Sequence, residues 1–256
     1  MRLTALLAAA LLALAGAARA APPPPSRLQL IDLTPAFAEA WAATKDLPDD
    51  ARVAAFDAAM APKLRGFYDP ARFETPAAQA RYGPRLIRNL NAFPDQRAGI
   101  EDVSRRFSSM LAPALASFEA RFGPMTGYPP IYLVHSLGEF DGGTRDLPDG
   151  NRLLFGADVI ARIHTGSHAI QPFFHHELFH ILHHRTFKGC DQVWCNLWSE
   201  GLAVYVAEQL NPGATDEQLL LTLPEPIRPG VEKNRAAAVC AVTQRLESTD
   251  RSEERV

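Results

Sequence analysis

Two histidines and a glutamate in the stretch His175-His176-Glu177-Leu178-Phe179-His180 have the spacing of a metal site on a helix. Positions four apart return to nearly the same helix face, so His176 and His180 can converge on one metal ion. Glu177 then lies beside the ion rather than on it. Two neutral imidazoles as ligands and a free carboxylate as general base are what a zinc hydrolase needs to activate water.

A catalytic zinc site needs a third protein ligand. Glu200 supplies a carboxylate near the start of a following helix, in the stretch Trp198-Ser199-Glu200-Gly201-Leu202-Ala203-Val204-Tyr205. The small residues Gly201 and Ala203 would let this helix pack closely against the first. Glu200 is therefore the predicted third ligand.

Other interpretations of the same residues are open. His183 lies almost on the helix face of His176 and could compete as a ligand, and Asp158 could approach from a neighbouring strand. The alternative to a metal site is a surface helix that is merely rich in histidine. The chain has eight histidines, and the motif alone can arise by chance.

The two motifs together resemble those of the gluzincin zinc metallopeptidases, the superfamily that includes thermolysin and the aminopeptidase N family. The resemblance rests on His-Glu-x-x-His followed at the expected distance by Trp-x-Glu-Gly-x-Ala-x-Tyr, and it covers about a third of the chain, from Tyr132 to Leu210. It implies one bound Zn²⁺ held by His176, His180 and Glu200, with Glu177 as general base.

The resemblance also implies a small sheet over the active-site helix. The strand before that helix, Leu154 to Val159, would be the sheet edge along which an extended peptide adds by backbone hydrogen bonds.

Two features of this superfamily are missing. The Gly-x-Met-Glu-Asn segment that holds the free amine of aminopeptidase substrates has no equivalent, which argues against an aminopeptidase. No Tyr or His follows Tyr205 to stabilise the oxyanion. The donor must then be Tyr205, His135, His164 or His168, or else the site is impaired or the chain shortened. Tyr205 is the candidate catalytic residue beside Glu177, although such a tyrosine more often packs within a helix.

The residues expected around the ligands are partly replaced. Val204 stands where an acid often orients a ligand histidine, and Glu208 and Asp191 are possible substitutes. His175 and His184 are expected to be solvated or structural.

Hydrophobic periodicity predicts a helical region before the motifs. Four helices are expected: one from Thr34 with Pro35 in its first turn, then Asp49–Leu64, Pro76–Leu90, and roughly Asp95–Phe122, kinked at Pro113 and ended by Gly123-Pro124.

The pattern changes to β-type after Tyr128. Strands are predicted at 130–134 and 153–159, with turns at 141–144 and 148–151. The histidine helix is expected to begin near Gln171-Pro172. Further predictions are a connection over 184–196 and helices over Leu197–Leu210, Ala214–Leu223 and Val231–Leu246.

These elements predict an α+β, mostly helical fold. A zincin-like catalytic core, with a small sheet of two to four strands packed on the active-site helix, would follow an N-terminal helical region. The expected parts are a signal peptide (1–20), a Pro-rich lead-in (21–31), the helical region (32–127), the core with C-terminal helices (128–247) and a charged tail (248–256).

The first twenty residues have the three parts of a secretory signal peptide. Met1-Arg2 is basic, Leu3 to Leu14 is apolar, and Ala18-Arg19-Ala20 is a small-x-small cleavage site. A short membrane anchor is the alternative, but a spanning helix requires roughly 20 apolar residues. Export to the periplasm or the extracellular space is therefore expected, without stable membrane insertion after cleavage.

The formal charge of −3, with no basic run, gives no reason to expect nucleic acid or an anionic membrane surface as a partner. The expected partner is a peptide or protein substrate, and the oligomeric state is left open.

Export implies an oxidising compartment in which the three cysteines can pair. At most one intramolecular bridge can form, either Cys190–Cys195 or a link from one of these to Cys240. Unpaired core thiols and a zinc site at Cys190 and Cys195 are alternatives.

The sequence thus predicts an exported zinc metallopeptidase. A zinc-binding protein that has lost catalysis and serves as a binding or scaffold protein is the alternative from another class. Hydrolysis of a non-peptide amide is a third, weaker one.

Overall fold

The computed structural model describes residues 28–164, 170–222 and 225–250. Within these ranges the chain is α+β and mostly helical, with a small four-stranded mixed sheet. The predicted signal peptide, most of the Pro-rich lead-in and the end of the charged tail lie outside the described residues. Among the described helices, none combines the length and apolarity that crossing a membrane requires.

The N-terminal part contains four α-helices. They are α1 (Thr34–Thr44), α2 (Asp49–Met60), the short α3 (Pro76–Ala80) and α4 (Tyr82–Phe122), with a 3₁₀ turn at Pro70–Arg72 before α3. The predicted helices at Thr34 and Asp49 are confirmed. The two predicted over Pro76–Leu90 and Asp95–Phe122 are not separate, because most of both ranges belongs to α4.

The continuity of α4 through Pro94 has a local cause. A proline has no N–H, so the carbonyl four residues earlier, that of Leu90, loses its partner within the helix. Trp41 donates its indole Nε1–H to the Leu90 oxygen at 2.8 Å, and Arg52 Nη2 lies 3.5 Å from it. Because α1 and α2 satisfy this carbonyl, the helix does not need to end there.

The sheet consists of β1 (Leu30–Asp32), β2 (Ile131–Val134), β3 (Gly142–Leu147) and β4 (Gly150–Gly156), in the order β1-β2-β4-β3. The pairs β1–β2 and β2–β4 are parallel, and β3 pairs antiparallel with β4 as a hairpin. The predicted turn at 148–151 is confirmed as the hairpin turn. Strand β1 was not predicted, because it lies in the stretch assigned to the lead-in.

The prediction of a sheet edge at Leu154–Val159 is wrong. Strand β4 is paired on both sides and ends at Gly156, where helix α5 (Ala157–Ile163) begins. The Asp158 carboxylate accepts backbone hydrogen bonds from Ser136 and Gly138 at 2.6 and 2.7 Å, which holds the start of α5 against the loop after β2. The edge strand beside β4 is β3, in a stretch whose glycines had predicted a turn.

The C-terminal part contains α6 (Ile170–Thr186), α7 (Val193–Leu210), α8 (Ile227–Lys233) and α9 (Arg235–Arg245). The predicted start of the histidine helix α6 is confirmed. Helix α7 begins four residues earlier than predicted, inside the expected connection. The single helix predicted over Val231–Leu246 is divided at Asn234.

The helix predicted over Ala214–Leu223 does not form in the described residues, which are turns up to 222. Thr215 and Gln218 bond each other's backbone N–H through their side chains, which starts a helical turn. Leu220 then has a φ of +58°, a left-handed conformation from which a right-handed helix cannot continue.

Helix α4 carries the core between the sheet and the histidine helix. Its side chains Ile100, Val103 and Phe107 are buried, and the Phe107 ring lies 5.0 Å from that of Phe155 on β4 and 6.4 Å from that of Phe174 on α6. Since the same helix supports both elements, the position of α6 relative to the sheet is fixed by packing.

Candidate metal centre

Helices α6 and α7 bring the three predicted ligands together. His176 Nε2 lies 3.0 Å from His180 Nε2, and Glu200 Oε2 lies 3.2 and 3.4 Å from these two nitrogens. In the described residues these three side chains form the group of His, Cys, Asp or Glu whose ligand atoms could hold a metal ion. The spacing prediction for the pair, and the choice of Glu200 as its partner, therefore agree with the geometry.

The donor atoms fit a zinc ion. Tetrahedral zinc with bonds of about 2.0–2.1 Å separates its ligand atoms by about 3.3 Å, close to the separations of 3.2 and 3.4 Å found here. Two imidazoles and one carboxylate are also a ligand set that zinc commonly takes in catalytic sites, with a fourth position open.

The charge of Glu200 suits this role. Partial burial acts to raise the pKa of its carboxyl, but hydrogen bonds with His176 and His180 outweigh burial and hold the pKa well below its usual range. The carboxylate is therefore ionised at neutral pH, as a metal ligand must be.

The two small residues predicted to aid packing behave differently. Ala203 is fully buried on α7. A Cβ on Gly201 would meet no atom within 4 Å, so Gly201 is not needed for the approach of the two helices.

Glu177 lies beside the ligands and is buried, 9% exposed. Burial raises the pKa of its carboxyl above the ordinary value, while His176 and His180 act in the opposite direction. A Cβ added to Gly142 on β3 would lie 3.0 Å from Glu177 Cγ and Cδ and 2.6 Å from Phe173 Cζ. The edge strand thus approaches the Glu177 side chain as closely as a glycine permits.

The second ring nitrogen of His180 has Ser199 as its hydrogen-bond partner, a role that the sequence did not indicate. Ser199 Oγ lies 3.3 Å from His180 Nδ1 and 3.3 Å from His183 Nδ1. A partner on the second ring nitrogen fixes the orientation of a ligand histidine. Glu208, a suggested substitute for this role, pairs instead with Arg228 at 2.9 Å, and Asp191 is exposed in the connection before α7.

The rival ligands lie elsewhere. The His183 ring stacks between Phe179 and Phe187, at centroid distances of 5.5 and 4.9 Å. Asp158 is held by the backbone N–H groups of the loop after β2. Neither belongs to the three-residue group.

His175 has a structural role, one of the two alternatives predicted for it. Its Nε2–H donates to the Ala114 carbonyl of α4 at 3.0 Å, and its Nδ1 lies 2.8 Å from the side-chain amide of Asn211 at the end of α7. Burial lowers the pKa of this imidazole. His175 therefore connects the ligand-bearing helices to α4 in its neutral form.

Of the four predicted oxyanion donors, the three in the described residues are not placed at the ligands. Tyr205 is 57% exposed, because five residues turn it about 140° around α7 from Glu200. The fully buried His135 stacks on Phe37, and His164 pairs with Asp141 at 3.2 Å. His168 lies outside the described residues. Tyr205, predicted as a catalytic residue, lines neither the cleft nor the cavity beside the ligands.

A cleft of about 520 Å³ opens between the edge strand and the two helices. His184, one turn after His180, lines this cleft, as do Glu177 and Glu200. Arg145 of β3 lines it from the opposite side. Sequence reasoning assigned no role to Arg145, because its position depends on where β3 lies. It expected His184 to be solvated or structural, although the spacing of four from His180 places His184 on the ligand face of α6.

A second cavity, of about 270 Å³, also borders the ligands. His176, Glu177 and Glu200 border it, and the rest of its wall is mainly apolar. Its apolar members include Phe173, Val204, Ala207, Leu219, Leu221 and Ile227. The residues of the centre thus line both a polar cleft and a mainly apolar cavity.

A disulfide joins Cys190 and Cys195, one of the pairings that the sequence left open, and Cys240 is free and exposed. Both bridged cysteines line the polar cleft. Cys195 is in the first turn of α7, so the bridge holds the start of the helix that carries Ser199 and Glu200.

No protein-family model, no curated protein and no solved structure matches this chain.

Proposed function

We propose that the protein is an exported zinc metallopeptidase with a zincin-like core. The observation that carries the proposal is the convergence of His176, His180 and Glu200 beside the buried carboxylate of Glu177, at the wall of a cleft. The signal-peptide pattern of the first twenty residues supports export.

The residues of the centre divide the chemistry among themselves. When bound, a zinc ion would polarise the substrate carbonyl and acidify water. Glu177 takes the proton of the attacking water on its carboxylate and passes it to the leaving nitrogen. A pKa raised by burial favours this exchange, because the carboxyl can hold the proton between the two transfers. His184 is the donor that the cleft offers to the carbonyl oxygen.

Strand β3 is suited to hold an extended peptide. It is the last strand of the sheet on the side of the centre, and its Gly142 is in contact distance of Glu177. A peptide that adds to this edge through backbone hydrogen bonds would pass directly before the general base. The missing side chain of Gly142 leaves that path free.

The proposal is tested by metal analysis of the purified protein together with mass-spectrometric cleavage profiling, with and without chelator. The Glu177→Gln variant should retain zinc and lose about 10²–10⁴-fold in activity, because it keeps the shape of the side chain but cannot accept the proton. Glu208→Gln removes the same charge from the surface of α7 and serves as the control. Full activity of Glu177→Gln with zinc bound would contradict the proposed mechanism.

A zinc-binding protein without catalysis is the second candidate. It is favoured by the exposed position of Tyr205 and by the burial of His135 and His164 away from the cleft. It predicts stoichiometric zinc, no cleavage of a broad peptide mixture and an unchanged function after Glu177→Gln.

A further inference from the structure

Arg145 is a cation at the polar cleft whose placement on the strand is unusual. Its guanidinium lies against the face of the Phe140 ring, 3.9 Å from the ring centre, and Nη1 donates to the Thr144 carbonyl at 2.9 Å. Packing on an aromatic face and a backbone hydrogen bond hold the planar group in one orientation. An immobilised guanidinium loses little entropy when it binds a second group.

Arg145 forms no ion pair with a carboxylate of the described residues. In the part of the chain that the structure describes, no Asp or Glu oxygen lies within 4.0 Å of its side-chain nitrogens. Glu139, Glu177 and Asp141 act on the charge of Arg145 from farther away. Of these, Glu139 is occupied by Arg72 and Arg85 at 2.5 and 2.6 Å. A half-buried cation in this situation is ready to bind an anion from outside.

The pairing of β3 with β4 gains nothing from the charge of this arginine. Arg145 lies directly across from Arg152 of β4 in the antiparallel pair. Like charges at directly opposed positions destabilise a sheet. The role of Arg145 must therefore be sought in the cleft that it lines.

The guanidinium also lies close to the centre along the strand. A Cβ on Gly143 would be 2.9 Å from Arg145 Nη1, so the side chain folds back beneath Gly143. Gly142, the next residue, is the one that contacts Glu177. Successive residues of a strand face opposite sides of the sheet. The Glu177 side chain therefore lies on the Gly142 side of β3, and the Arg145 guanidinium lies on the Gly143 side of the same short segment.

From this arrangement we propose that Arg145 binds a carboxylate of the substrate, within two residues of the bond that is cut. The inference rests on the proposed peptidase function and specifies its substrate class: peptides that carry an acidic side chain next to the cleavage point, or that end there in a free C-terminal carboxylate. The shared chemistry is a planar carboxylate that the guanidinium can bind through two parallel hydrogen bonds.

The first experiment finds the preference. A mixture of random decapeptides blocked at both ends is digested by the zinc-loaded wild type, and the cleavage positions are determined by mass spectrometry. Asp and Glu should be enriched within two residues of the cut. A second mixture with free C-termini separates the two carboxylate sources, because preferential cleavage near the free end would assign Arg145 to the terminal carboxylate.

The second experiment assigns the preference to Arg145. For the best-cleaved peptide and its carboxamide counterpart (Glu replaced by Gln, or the C-terminus amidated), Arg145→Met should lower kcat/KM for the carboxylate form about tenfold to a hundredfold, mainly through KM, and leave the counterpart unchanged. Methionine still covers the Phe140 ring. Arg145→Lys should recover part of the loss, and Arg152→Met, the same change on the neighbouring strand, should behave as wild type.

The outcomes separate this inference from the proposed function. Cleavage without acidic preference, or an equal loss on both peptides in Arg145→Met, would overturn the role of Arg145 and leave the peptidase proposal standing. If wild type with bound zinc cleaves neither mixture, the peptidase proposal fails. Binding of the fluorescein-labelled mixtures to Glu177→Gln, measured by anisotropy, then decides whether Arg145 still selects carboxylates.

Discussion

At the scale of single residues, two glycines of β3 leave the space that charged side chains beside the centre occupy. Gly142 leaves room for the Glu177 carboxylate on one side of β3, and Gly143 leaves room for the Arg145 guanidinium on the other. Gly143 also has a φ of +130°, which glycine adopts more readily than other residues. Two adjacent glycines therefore let one strand lie against two charged side chains.

Gly142→Ala should reduce activity with little effect on zinc binding. The added methyl would overlap Phe173 and lie against Glu177, and a displacement of a catalytic group by about 1 Å can lower kcat about 10²-fold. Steady-state kinetics and metal analysis of the variant check this. Gly230→Ala in α8, where a Cβ meets no atom within 4 Å, is the control. Unchanged kinetics would show that β3 is not in contact with the working carboxylate.

Asp57 should give the protein a pH-dependent stability. Burial, opposed by a hydrogen bond from Tyr82 and assisted by Asp69, raises the pKa of its carboxyl from 3.8 to about 6. Between these values the folded state binds more protons than the unfolded state, so stability falls as pH rises through this window. Above it, the charged carboxylate remains unfavourable.

The Asp57→Asn variant cannot ionise and should therefore be more stable than wild type at pH 8, by about 1–2 kcal/mol because solvent offsets part of the shift. The advantage should disappear near pH 4. Urea unfolding of both proteins at the two pH values measures it. An advantage that is the same at both values would contradict the prediction.

The residues of the centre that could be predicted are those related by helical periodicity. The pair His176 and His180 follows from a spacing of four, which depends only on local geometry. Glu200 was found through its neighbours in a second motif. Ser199 and Arg145 could not be assigned, because each acquires its role from its place beside another element.

At the scale of elements, the sequence predicted a helix or strand well where neighbouring residues determine its ends. It predicted them poorly where a residue far along the chain determines whether the element continues. Pro94 should end a helix, but Trp41 and Arg52 satisfy the carbonyl that it frees. The glycines at 142 and 143 indicated a turn, but pairing with β4 makes them part of a strand. In both cases a contact far along the chain overrides the local preference.

The disulfide should stabilise the first turn of α7. Replacing Cys190 and Cys195 together by Ser should lower the free energy of unfolding by about 2 kcal/mol, as expected for a loop this short, and weaken zinc binding. Urea unfolding and zinc titration of the double variant measure both effects. Cys240→Ser is the control and should change neither, since this thiol is free and exposed. A large loss of stability in the control would mean that Cys240 is a bridge partner.

At the scale of the whole molecule, metal binding and folding should be linked. The ligands lie on two helices, so an ion that binds them stabilises only the folded chain. At a zinc concentration 100 times its dissociation constant, the free energy of unfolding should rise by about 2.7 kcal/mol. The increase, measured by urea unfolding, should be reversed by chelator.

The His180→Ala variant should lose this zinc-dependent stabilisation. Tyr205→Phe should keep it, because Tyr205 is exposed and turned away from the ligands. If zinc stabilised His180→Ala as much as wild type, the ion would be bound elsewhere on the molecule.

The order of the strands has a practical consequence for how the protein can be handled. The N-terminal strand β1 forms one edge of the sheet and β3 forms the other, three strand spacings or about 14 Å apart. A tether or affinity tag placed before β1 therefore joins the molecule at the edge remote from the centre. Protein immobilised in this way on a column or sensor surface should keep its cleft open to solvent, so binding and cleavage can be followed on the captured molecule.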